Sequence, residues 1–202
     1  KPSFWYLVLI VFSVLIFFYF FLFFPEIQIK SISISGNEKV NAEKINVVVE
    51  KLINKNIIAS YITTKSVFLV DTEAIKKEIL ASLPQIDSVE VKKNLPTNIS
   101  IKISERKPEA VFCLLSGQCF FVDKNGIAFE ETQYFPENMV IVRQTESNIN
   151  EVFVGKTAVE KSTIDSILKV KKSLFDNSQI NISQALINGA QRLDVKTSEG
   201  WQ

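Results

Sequence analysis

The chain has no histidine, only two cysteines, one methionine and six glycines in 202 residues, and neither charge prevails, with 23 basic against 22 acidic side chains. Without histidine the commonest general base and metal ligand at neutral pH is missing, which excludes most Ser-His and Cys-His hydrolases. Apart from Lys1, the rest of the chain is electrically neutral. A protein that tracks nucleic-acid phosphates needs a basic face, so a nucleic-acid partner is excluded too. The sequence opens on Lys1, and its one methionine is Met139. The natural protein is therefore expected to extend beyond both ends.

What is abundant is phenylalanine, concentrated near the start. Residues 2 to 25 carry no charge, and Phe4 to Phe24 is a run in which only Ser13 is clearly polar. At 1.5 Å per residue its 21 residues reach about 31 Å, the thickness of a bilayer's hydrocarbon core. Trp5 and Tyr6 lie where interfacial aromatics belong, and Pro25 stops the helix. A cleavable signal would have a shorter apolar region and a small-residue cleavage site. The run closes instead on Phe23-Phe24-Pro25-Glu26, so residues 4–24 are expected to be a retained single transmembrane helix. Lys1 before the span and a large domain after it favour a cytoplasmic N-terminus, with the bulk outside.

Beyond the anchor the pattern is α+β. Ile27-Gln28-Ile29 and Ile32-Ser33-Ile34 alternate as strand, and Gly36-Asn37 turns the chain. Asn41 caps a helix whose Ile45, Val48, Val49, Leu52 and Ile53 share one face. Asp71 caps a second helix, which carries Ile75, Ile79 and Leu80 and ends at Pro84. Strands follow over 86–93 and 97–105, joined by Asn94-Leu95-Pro96, for an order β-α-α-β-β. Further on, strands are expected over 110–115, 119–122, 127–129, 139–142 and 192–197. Thr157 to Glu160 reads as a capping box opening a helix to about Leu174. A final hairpin without a returning strand suggests a sheet that continues past Gln202.

The ordered set of short signatures resembles one family. It comprises Ile32-Ser33-Ile34-Ser35-Gly36-Asn37, Phe68 to Asp71, Leu83-Pro84-Gln85-Ile86, Val89 to Pro96, Ile99 to Pro108 and Phe121 to Phe129, all behind a membrane span. This resembles the FtsQ/DivIB bacterial cell-division proteins, which join one span to a POTRA domain and an outer β domain. The resemblance implies an anchor over 4–24, a POTRA domain over 26–106 and an incomplete, mostly antiparallel β domain over 107–202. It further implies a non-catalytic divisome scaffold at the septum of the plasma (inner) membrane. Its partners would be division proteins of the FtsB/FtsL (DivIC/FtsL) type and the septal wall-synthesis machinery, with no cofactor and no small-molecule substrate. The family's main partner-binding strand would fall beyond Gln202. Within the POTRA domain the resemblance points to Val89, Val91, Lys92 and Lys93 as partner-binding. The period-2 spacing of the valines favours the other reading, in which they are core and the lysines blunt an edge. One departure is the link from Asn54 to Ser66, which is long for the join between the two POTRA helices.

The remaining chemistry is sparse. With a hairpin loop over Leu115 to Gly117, Cys113 opposes Cys119. The two can bond in an oxidising compartment, or stay as half-buried thiols in one that is not. Asp123-x-Asn125-Gly126 faintly echoes a calcium loop but reads as a turn. Two other functions share the layout. One is a serine-lysine membrane peptidase, for which Ser31, Ser33 and Ser35 lie in the right region, although they alternate with isoleucines. The other is a POTRA-type chaperone or transport component.

Overall fold

The computed structural model describes residues 2–57, 62–137, 139–144, 152–188 and 192–197. They fall into two compact units, one of residues 1–82 and 86–105, the other of 83–85 and 106–202.

The first unit begins with helix α1, Pro2–Phe23. From Phe4 to Phe20 its side chains are exposed, and Phe21, Leu22 and Phe23 are half-buried. A 3-10 turn, Pro25–Ile27, follows. The alternation at Ile27-Gln28-Ile29 does not make a sheet strand, because this segment turns and then touches Ser66 through a single antiparallel bridge at Gln28. The strand proper is β1, Ser31–Ser35. Asn41 caps α2, Ala42–Ile53, by accepting from the Glu43 amide at 2.8 Å. The long link after α2 holds a hairpin, β2 (Lys55–Ile57) paired antiparallel with β3 (Ile62–Thr64). Asp71 caps α3, Thr72–Ser82, taking both the Glu73 and Ala74 amides at 3.0 Å. Strands β4 (Ile86–Asn94) and β5 (Asn98–Glu105) then close a three-stranded sheet of order β1-β5-β4, with β1–β5 parallel and β4–β5 antiparallel.

Alternation on β5 turns Ile99, Ile101 and Ile103 to one face, where they are 3% exposed or less. Ile45, Val49 and Ile53 of α2 and Ile75 and Ile79 of α3 are equally buried, while α3 lies against β4 and α2 against α3. Each such side chain withdrawn from water contributes about 2 kcal/mol.

The second unit is built on a six-stranded sheet of order β11-β10-β9-β6-β7-β8. Its strands are β6 Ala110–Cys113, β7 Cys119–Val122, β8 Ala128–Glu131, β9 Val140–Gln144, β10 Ile182–Asn188 and β11 Arg192–Thr197. Pairing is antiparallel at β6–β7, β7–β8 and β10–β11, and parallel on both sides of β9. Helix α4, Lys161–Ser178, connects the parallel neighbours β9 and β10. Its Ile164 and Ile167 join Phe112, Val122, Ala128, Val140, Val142 and Ala185 in one core on one face of the sheet. A smaller apolar cluster on the other face contains Val111, Cys113 and Cys119.

The capping box expected at Thr157–Glu160 is not formed. Thr157 bridges to Ile127, the Ala158 and Val159 amides both donate to Gly126 O, and the helix starts only at Lys161 with no side-chain cap from Glu160. Tertiary pairing has taken the residue that local pattern assigned to a cap.

Candidate interaction surface

The four candidates, Val89, Val91, Lys92 and Lys93, lie on β4, which with β1 forms the two edges of its sheet. Period-2 geometry sends Val89, Val91 and Lys93 to one face and Glu90 and Lys92 to the other. Val89 is buried at 5% exposure, Val91 is half-buried, and Lys92 and Lys93 are exposed. Val89 is thus core, opposite Ile103, and Val91 sits opposite Ile101 at the rim of that core. The Lys93 ammonium donates to Phe68 O at 3.4 Å. Lys92 pairs with Glu90 at 2.6 Å, an exposed contact. Lys92's hydrogen bond and charge, aided by Lys102, hold the Glu90 carboxyl below its ordinary pKa against a small effect of burial. The structure therefore does not present the four residues as one patch. Lys92 faces out beside Glu90, while Lys93 extends the face on which the two valines pack.

Ser31, Ser33 and Ser35 occupy the exposed alternate positions of β1. Ser33 shares a hydrogen bond with Asn98 on β5, the ladder neighbour strand. The serines are the polar face of a half-buried strand.

Segments distant in sequence meet in two joints. In the first unit, the Glu105 carboxylate at the end of β5 accepts from the amides of Glu38 (2.7 Å), Val40 (2.8 Å) and Lys39 (2.9 Å). Burial alone would raise its pKa, but those three amides and the Lys39 charge outweigh it, and the carboxyl titrates below its ordinary value. Gly36 makes the approach possible, since it has φ +83° and a Cβ there would lie 2.1 Å from Ile103 O.

In the second unit, Arg106 donates through Nε to Pro84 O and through its amide to Gln85 O, and pairs with Asp123. Asp123 is buried and Arg106 largely so, at 4% and 12% side-chain exposure. The other Asp123 oxygen accepts from the Asn125 and Ile127 amides, so this carboxylate closes a turn beside a guanidinium. Gly126 completes it at φ +75°, with Val159 O at 1.9 Å from any added Cβ. Glu105, Arg106 and Asp123 were not picked out as site residues from the sequence. They could have been found as the charged members of otherwise apolar or turn-forming signatures.

The hairpin of β6 and β7 is closed by Leu114 and Gln118, whose backbones bond at 2.9 Å, with Gly117 at φ +92° in the loop. Cys113 and Cys119 are paired in register and joined as a disulfide with Cα atoms 4.1 Å apart.

The domain identity rests on comparison as well as on topology. Residues 27–106 match the POTRA domain of FtsQ type. A cell division protein FtsQ of Streptomyces griseus is 26% identical over 120 residues, 59% of this chain and 52% of the relative. Another, from Streptomyces venezuelae, is 37% identical over 70 residues, 35% of this chain and 26% of the relative. A cell division protein DivIB of Clostridium tetani is 25% identical over 166 residues, 81% of this chain and 57% of the relative. The matched part of the chain spans between 26% and 57% of the length of these relatives. Residues 27–106 form an FtsQ-type POTRA domain, and the chain that carries them is similar to the FtsQ and DivIB cell division proteins.

Proposed function

We propose that this protein is a non-catalytic scaffold of bacterial cell division. Residues 4–24 anchor it in the plasma membrane with the N-terminus cytoplasmic. Residues 26–106 and 107–202 act outside the membrane as a POTRA domain and a β domain. Its partners are other division proteins of the FtsB/FtsL (DivIC/FtsL) type and the septal wall-synthesis machinery, and it works at the septum.

The observation that carries this reading is the position of β4. It is one of the two edges of a three-stranded sheet, it carries exposed Lys92 and Lys93 near its end, and its inner face is already fixed by Val89 against the core. An edge strand of this kind can accept a partner's strand through main-chain hydrogen bonds, with the outward side chains supplying selectivity. The same lysines also deter indiscriminate edge pairing.

The test is a pull-down of the complete gene product from membranes of the source cell, followed by mass spectrometry. Recovery of small single-span coiled-coil proteins and septal wall synthases is expected. Recovery of unfolded secreted chains, or of a processed substrate, would replace the scaffold with a chaperone or a peptidase.

A further inference from the structure

The exit of α1 is held by the domain that follows it. The last carbonyls of a helix lack partners within the helix. Here Phe20 O accepts from the Phe24 amide at 2.9 Å, Phe21 O from the Ser66 hydroxyl at 3.3 Å, and Leu22 O from the Gln28 side chain at 2.7 Å and from the Thr64 hydroxyl. Thr64 and Ser66 are buried polar residues, at 3% and 1% exposure, and these bonds satisfy their hydroxyls. The Ile29 amide donates to Lys65 O and the Val67 amide to Ile27 O, both at 3.0 Å, which stitches 27–29 to 65–67.

The next residues form a turn, closed by the Leu69 amide on Ser66 O. Val67 and Val70 point into the core at 0% and 4% exposure, leaving Phe68 and Leu69 outside at 45% and 36%. The Phe68 ring stacks on Phe21 of α1, with centroids 4.9 Å apart and planes 20° apart. Phe21 precedes the last helical residue by two positions and Pro25 by four. At 1.5 Å per residue, Phe68 therefore lies about 3 to 6 Å from the end of the apolar run, where hydrocarbon gives way to head groups. Exposed Lys65 and Lys93 flank the turn, Lys93 donating to Phe68 O. Aromatic and aliphatic side chains edged by lysine are what that layer accepts.

We propose that the Ser66–Leu69 turn is a second membrane contact, with Phe68 and Leu69 seated in the lipid bilayer interface beside α1. This rests on the reading of α1 as a membrane span. The occupant is lipid, because the patch is continuous with the lipid-facing surface of α1 and stacks on one of its residues. With a helix and a side turn both in the bilayer, the POTRA domain stands at one tilt to the membrane plane rather than swinging on a tether.

The test uses the full chain in lipid vesicles and tryptophan fluorescence quenched by lipids brominated near the head-group end of the acyl chain. With Trp5→Phe and Trp201→Phe in the background, tryptophan is placed by Phe68→Trp, by Leu69→Trp, or by Val47→Trp on the exposed side of α2. A chain that keeps Trp5 alone reports on the anchor. The Phe68→Trp and Leu69→Trp variants are expected to be blue-shifted and to lose most of their emission, as Trp5 does, while the Val47→Trp variant does neither. Quenching of Trp5 without quenching at either turn position would overturn the proposal and leave the anchor standing. Absence of quenching at all positions, Trp5 included, would overturn both.

Discussion

At the scale of single residues, two positions decide how β5 meets the start of α2. Gly36 has no room for a side chain, since its φ is +83° and Ile103 O would clash with a Cβ. Gly36→Ala is expected to destabilise the domain by about 2 kcal/mol or more, measured by thermal unfolding of the solubilised chain. Glu105 then binds three consecutive amides. Glu105→Gln keeps an acceptor but loses the charge that strengthens those bonds, and should cost about 1 to 2 kcal/mol. Because the folded-state pKa of Glu105 is lowered, its contribution is complete above the ordinary carboxylate pKa and disappears as pH falls through the lowered value. Wild type and Glu105→Gln should therefore differ in melting temperature at neutral pH and converge in acid. A difference that persists in strong acid would show that packing, not charge, is what the carboxylate supplies.

At the scale of elements, the hairpin of β6 and β7 carries a bond across a short loop. Its cysteines are six residues apart, and closing so small a loop in the unfolded chain is worth about 2 kcal/mol. Reduction, or Cys113→Ser with Cys119→Ser, should lower the melting temperature without dissolving the β domain, whose larger core lies on the other face of the sheet. The exit of α1 is the second such element. Thr64→Val combined with Ser66→Ala leaves helix carbonyls short of donors and should cost about 1 kcal/mol per lost bond. Faster amide exchange over 25–29 would report the loosening. Much of this level was readable beforehand. The caps at Asn41 and Asp71, the helix faces of α2 and α3, and the loop that sets Cys113 against Cys119 all follow from local chemistry. What was not readable is what distance in sequence conceals. The Asn54–Ser66 link appeared only as excess length, because its purpose is to bring Thr64 and Ser66 to a helix end some forty residues earlier in the chain. Ile27 and Ile29 alternate like strand residues, yet Gln28 between them is committed to the same helix end. Thr157 resembled a cap because nothing nearby announced its bridge to Ile127.

At the scale of the molecule, the chain is an apolar helix followed by two compact units. In intact spheroplasts, external protease should reach residues beyond Glu26 while the α1 segment stays protected. Cleavage only after the membrane is permeabilised would reverse the orientation. The α+β class and the succession β1, α2, α3, β4, β5 were readable because each of these elements has its own period, whereas the hairpin β2–β3 between the helices was not. The central place of β9, parallel to both neighbours, was not, since pairing partners leave no mark on a strand's own alternation. The sheet order β1-β5-β4 has one further result, and it concerns synthesis. The strand that joins the sheet is the last of the three to be made, and Ser33 waits 65 residues for Asn98. As the chain is made from its N-terminus, β1 and β4 both emerge without a neighbour in this sheet, and no part of it can form before β5 arrives to stand between them. Under the orientation proposed above, the whole segment through β5 has to be exported before its three-stranded sheet can close, and a nascent chain stalled short of Asn98 would be a target for proteases.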